Sequence, residues 1–129
     1  MHNPNRQETC KLKSITLAGI LLSLALTSNA FAFGAIAVDD YVDATDPAYG
    51  FSINQPSRER AEQVALQYCR RYGTNCKTVV WFETCGAYAS SNRYYGYGYG
   101  VSKAVATSNA LKMCGRNSCK IVSAECENR

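Results

Sequence analysis

Hydrophobic and polar positions along the chain change period several times, and each change marks an element. Residues 35–38 are a short apolar run, and in residues 49–53 Tyr49, Phe51 and Ile53 alternate with Gly50 and Ser52. That period of two predicts strands, the second with two chemically distinct faces. Beyond Pro56 the period lengthens. Ala61, Val64, Ala65, Tyr68, Cys69 and Tyr72 fall on one stripe of a helix that Ser57 is placed to cap and Gly73 to stop. The β-branched and aromatic run 77–82 then predicts a well-buried strand.

The same order returns. Strands are predicted at 87–90, 95–100 and 120–124, and Ser102 caps a second helix with Ala106, Asn109, Ala110, Met113 and Cys114 on its stripe. Asn109 in place of Val64 makes that stripe more polar, so the second helix is expected to be the less deeply buried. Ser57, Ala61, Ala65, Leu66 and Cys69 match Ser102, Ala106, Ala110, Leu111 and Cys114 at identical spacing, and Cys76-Lys77 and Cys85 match Cys119-Lys120 and Cys126. The reading is two tandem ββαβ repeats, 34–85 and 86–126, related by a pseudo-two-fold axis. The expected class is α+β, with two helices packed on a mainly antiparallel sheet.

Arg6, Lys11 and Lys13 precede an apolar stretch from Ile15 to Leu26 and then small residues, the layout of a secretory signal peptide. Cleavage after Ala30 or Ala32 satisfies the small-x-small rule, and the later site gives a leader of residues 1–32. Cys10 leaves with it and lies on the wrong side of the apolar stretch for a lipoprotein anchor, so no membrane attachment is expected after cleavage. Of 129 residues, 97 remain as a single domain, residues 33–129. The 14 basic and 10 acidic side chains lose three and one with the leader, which leaves a net charge of +2. That balance, with acids interspersed among the bases, does not point to nucleic acid.

A core of this size needs reinforcement, and Cys69, Cys76, Cys85, Cys114, Cys119 and Cys126 supply an even set for disulfides in an oxidising compartment. The duplication favours one local bond per copy, Cys69 with Cys76 and Cys114 with Cys119, leaving Cys85 and Cys126 to join the copies. Zinc is the poorer reading because no C-x2-C knuckle is present, and the same absence argues against a redox role.

His2 is the only histidine, and it lies in the leader. Histidine-based triads and metal sites are therefore excluded from the mature domain, and paired cysteines leave no thiol nucleophile. A carboxylate enzyme would need the loop bearing Asp39, Asp40, Asp43 and Asp46 to face Glu83 or Glu125. The same loop does not follow the EF-hand alternation, so it is expected to be solvated rather than a calcium site. No catalytic residue, cofactor or metal is expected.

The remaining chemistry is aromatic. Tyr94, Tyr95, Tyr97 and Tyr99 are interleaved with Gly96, Gly98 and Gly100, which on a strand sets three tyrosines on one face and three glycines on the other. Such a row either packs against the fold or presents amphipathic contact area to a partner. Trp81 and Phe82 are expected in the core, one of them partly exposed. The ordered set of Gly-Ala-Ile-Ala-Val, Tyr-Gly-aromatic-Ser, Ser-x3-Ala-x3-Ala-Leu-x2-Cys and Cys-Lys-x-Val-Val-Trp-Phe over residues 34–126 resembles domain of unknown function 4189, a family of small exported bacterial proteins. The resemblance implies export and a disulfide-bonded domain, and it brings no catalytic residues. The expected function is an exported, non-enzymatic protein-binding module, of inhibitor or immunity type. A cell-wall or glycan-binding module is the alternative. The expected surface comprises Tyr94, Tyr95, Tyr97, Tyr99, Asp39 and Asp40.

Overall fold

The computed structural model describes residues 32–40 and 46–128. Residues 1–31 of the 32-residue leader and Asp43 in the acidic loop lie outside the described residues. Strand β1 (Phe33–Asp39) is the centre of a three-stranded antiparallel sheet with β2 (Ala48–Gln55) on one side and β3 (Lys77–Phe82) on the other. Strand β4 (Cys85–Ser90) is the centre of a second, flanked by β5 (Tyr95–Gly100) and β6 (Lys120–Cys126). Two sheets thus stand where one was expected. Every strand pairs within its own half of the chain, and the second half opens at Cys85, not after it.

Helix α1 (Arg58–Cys69) covers the first sheet and α2 (Lys103–Cys114) the second. Both start as the sequence requires: Ser57 Oγ accepts from Arg60 N and Ser102 Oγ accepts from Val105 N. They end differently. Helix α2 closes on Gly115 in the left-handed conformation (φ 73°), whereas α1 is capped by Arg70, ahead of the Gly73 stop.

Alternation along the central strands distributes three cores. Ala35 and Ala37 of β1 face Ala61, Ala65 and Cys69 of α1, while Ala87 and Ala89 of β4 face Ala106, Ala110 and Cys114 of α2. The opposite faces meet between the sheets, where Ile36, Val38, Val80 and Phe82 pack on Tyr88. Both central strands are therefore buried on two sides, and small residues are needed on the helix side.

Gly50 and Gly96 show how close that approach is. A Cβ on Gly50 would lie 2.3 Å from Cys69 N and 2.5 Å from Ala65 O, and one on Gly96 2.3 Å from both Cys114 N and Ala110 O. Helix and edge strand are in backbone contact in both halves. This explains where the stripe on α1 departs from expectation. Only Ala61, Ala65 and Cys69 are buried, because no room exists under the helix for Tyr68 and Tyr72, which are exposed. Helix α2 buries the corresponding Ala106, Ala110 and Cys114, so it is as deeply seated as α1 despite its more polar stripe.

Three disulfides lock the halves. Cys69–Cys76 and Cys114–Cys119 each tie the end of a helix to the segment entering β3 or β6. Cys85–Cys126 does not join the halves. It bridges directly opposed positions of β4 and β6 within the second sheet, with Cα atoms 4.0 Å apart. The halves are instead joined by side chains. Glu127, just after β6, accepts from Asn54 N at 2.6 Å, where β2 adopts a positive φ of 57°. At another point of the interface Tyr88 Oη donates to Asp40 Oδ2 at 3.2 Å.

Candidate binding surface

The glycines of β5 determine where its tyrosines go. With Gly96 and Gly98 pressed on the backbone of α2, Tyr95, Tyr97 and Tyr99 are turned to the other face, where they are 54%, 40% and 65% exposed. The close backbone approach that these glycines permit is to the protein's own helix. Tyr95 stacks beside Tyr88 (ring centroids 6.3 Å apart), and the Lys77 ammonium lies 6.0 Å from the Tyr95 ring. About half of each ring in the row is thus packed on the fold and the other half faces water.

Tyr94 does not join the row. Its hydroxyl accepts from Arg116 at 3.1 Å and the guanidinium lies 4.4 Å from its ring, which holds it on the side of α2. Asp39 is not at the surface at all. It is fully buried, and its Oδ2 accepts from Thr74 N (2.8 Å) and Asn75 N (2.9 Å), the turn between α1 and β3. A carboxylate so placed organises a loop. Asp40 lies nearer the row, linked to Lys77 Nζ at 3.6 Å and to the Tyr88 hydroxyl. Burial pushes the Tyr88 phenol well above its ordinary ionisation range, and the Asp40 charge adds in the same direction. Tyr88, Asp40, Lys77 and Tyr95 therefore form a connected set across the two sheets, and of these the sequence singled out only Asp40 and Tyr95.

Trp81 and Phe82 divide as strand alternation requires. Phe82 is 2% exposed between the sheets, while Trp81 faces α1 beside Phe33, with the Arg58 guanidinium 4.6 Å from its ring and Arg58 also paired to Glu62 at 2.9 Å. Glu125 Oε1 accepts from Ser123. Asp39 is committed to its turn, so it does not contribute to an acidic site with Glu83 or Glu125. Among the described residues no group of three or more His, Cys, Asp and Glu could hold a metal ion, and no described helix is long and apolar enough to cross a membrane.

A second aromatic surface was not anticipated. Tyr49 and Phe51 on β2 and Tyr68 and Tyr72 on α1 border a groove of about 780 Å³ along the outer edge of β2. Tyr68 and Tyr72 were hidden in the sequence by their helical spacing, which reads as core. The signal that could have exposed them is Gly50, since a glycine facing the helix leaves no depth for a tyrosine beneath it.

Comparison with known proteins places this arrangement. The chain is 34% identical over 83 residues to protein Rv1269c of Mycobacterium tuberculosis and, equally, to protein Mb1300c of Mycobacterium bovis, a match covering 64% of this chain. The chain spans 61% of the length of those relatives. Its fold is similar to that of Rv1813c from M. tuberculosis, solved by NMR, with a TM-score of 0.52 and 28% identity over 77% of this chain and 78% of that one. The profile described as Domain of unknown function (DUF4189) matches residues 33–126, so the chain belongs to that family.

Proposed function

We propose that this chain is an exported, non-enzymatic module that binds another protein through the tyrosine face of β5. The observation carrying the reading is the presentation of Tyr95, Tyr97 and Tyr99, roughly half exposed, from a strand held against α2 by backbone contact. Half-buried rings on a stiff strand have little rotamer freedom left to lose, and their hydroxyls remain in water, which is how tyrosine contributes to interfaces. A small domain locked by three disulfides is pre-organised in the same sense, as an inhibitor or immunity-type protein requires. The bonds also fit an oxidising compartment, in keeping with removal of residues 1–32 during export to the periplasm or beyond.

The module arose, in this reading, by duplication of a ββαβ unit, with the copies related by a pseudo-two-fold axis. Equivalent sheet orders, helix caps and helix-to-glycine contacts support it.

The test is capture by the oxidised protein from envelope and culture-supernatant fractions of the producing cell, beside a Tyr97→Ala/Tyr99→Ala variant of unchanged melting temperature. A stoichiometric protein partner lost in the variant is expected. Sedimentation with purified wall material and no protein partner would replace this reading by the glycan one.

A further inference from the structure

β2 and β5, one edge strand of each sheet, share a register against their central strands, Phe51 opposite Ile36 and Tyr97 opposite Tyr88, but their outer edges are treated differently. On β5 the helix closes the edge. Met113 Sδ accepts from Tyr97 N at 3.4 Å, and Asn109 Nδ2 donates to Tyr99 O at 3.1 Å. These bonds show that the N–H of Tyr97 and the C=O of Tyr99 point away from the sheet. On β2 the corresponding groups belong to Phe51 and Ile53, and the corresponding helix residues are Tyr68 and Val64.

Valine has no polar group to offer, and the Tyr68 ring lies under the Arg71 guanidinium at 4.7 Å. Gln55 Nε2 caps Ile53 O at 3.1 Å from within the strand, but among the described residues the outward N–H of Phe51 has no helix partner like the one Tyr97 has. Where α2 lays Met113 and Asn109 on β5, α1 leaves the 780 Å³ groove, walled by Tyr49 and Phe51 on one side and by Val64, Tyr68 and Tyr72 on the other, with the strand edge between them. Unpaired strand edges are usually blunted in native proteins; among the described residues the helix of the second half does so and the helix of the first does not.

We infer that the edge of β2 is a docking site for an extended segment of another protein, which adds to the sheet as a fourth strand. Backbone polar groups between two apolar walls match a peptide that offers backbone hydrogen bonds at its inner edge and apolar side chains alternately to each wall. The strand is eight residues long, which sets an occupant of roughly six to eight residues. Charge defines one end. Among the described residues lining the groove only Asp46 is charged, so the occupant carries Lys or Arg where it passes the start of β2. Residues 48–55, AYGFSINQ, contain no basic residue, so the β2 of a second copy lacks that cation. The site does not depend on the tyrosine face of β5.

The experiment is selection of a random heptapeptide display library on the oxidised protein expressed as the full chain, followed by anisotropy titration of the enriched peptides. Enrichment of sequences with alternating apolar residues and one terminal Lys or Arg is expected. Binding should fall about tenfold or more when alternate peptide amides are N-methylated, since two or more hydrogen bonds are then lost. It should fall similarly in a Val64→Asn/Tyr68→Met variant, which gives α1 the capping residues of α2, and stay unchanged in Tyr97→Ala/Tyr99→Ala. The N-methylation arm leaves the protein untouched and decides the matter even if the double variant misfolds. No enrichment, enrichment of proline-rich peptides, indifference to N-methylation, or self-association that Val64→Asn/Tyr68→Met abolishes would each overturn the inference.

Discussion

Gly96 is the position at which the fold is most sharply testable. Its hypothetical Cβ lies 2.3 Å from Ala110 O, 2.3 Å from Cys114 N and 2.9 Å from Met113 C. All three are backbone atoms of α2, so no rotamer change relieves the clash, and the helix has to lift from the strand. Overpacking typically costs 1–3 kcal/mol, and a backbone-on-backbone clash belongs at about 3 kcal/mol. The φ of Gly96 is not positive, so alanine is allowed there and recovers about 0.7 kcal/mol through the unfolded chain. The net loss for Gly96→Ala is about 2 kcal/mol, or roughly 8–16 °C in Tm for a domain of this size. Gly50→Ala meets the same atoms of α1 and should cost as much, whereas Gly100→Ala meets first the side chain of Val105 and should cost less. Thermal and urea unfolding with the disulfides intact measures all three. A Gly96→Ala protein within about 0.5 kcal/mol of the parent, the range of an ordinary surface substitution, would refute the backbone-contact account.

Asp39→Ala deprives the Thr74 and Asn75 amides of their acceptor and should cost about 3 kcal/mol in urea unfolding, against little for Asp46→Ala on the surface. Paired alanines at Cys85 and Cys126, which close a 41-residue separation, should cost about 4 kcal/mol, while Cys114 with Cys119, separated by 5, should cost about 2. Tyr88 titrates higher folded than unfolded, so its contribution is complete below about pH 10 and is lost as pH rises beyond it. Stability measured from pH 8 to 11 should therefore fall above pH 10, and less steeply in Tyr88→Phe.

Local features were legible in the sequence because local physics fixes them. Ser57 and Ser102 cap helices as their spacing required, and the matched cysteines after each helix form short-range bonds. Features that depend on which strands pair were not. Period-two alternation in β1 and β4 does not say whether they share a sheet, so the two sheets read as one, and Cys85 was taken as the end of the first half when pairing makes it the start of the second. Tyr68 and Asp39 mislead in opposite directions for one reason. Helical spacing placed Tyr68 inside and charge placed Asp39 outside, but the tight seat of α1 expels the tyrosine, and the turn at Thr74–Asn75 takes in the carboxylate. The tyrosine row was visible as a pattern, and the glycines beside it now fix which way it faces.

The claim that the face of β5 meets a protein partner is tested most directly by photo-crosslinking in the producing cell. A benzophenone amino acid is placed in turn at Tyr97, at Tyr99 and, on the exposed side of α2, at Ser108. The account predicts one discrete protein adduct from positions 97 and 99 and none from 108. No adduct from the tyrosine positions, or the same adducts from all three, would contradict it.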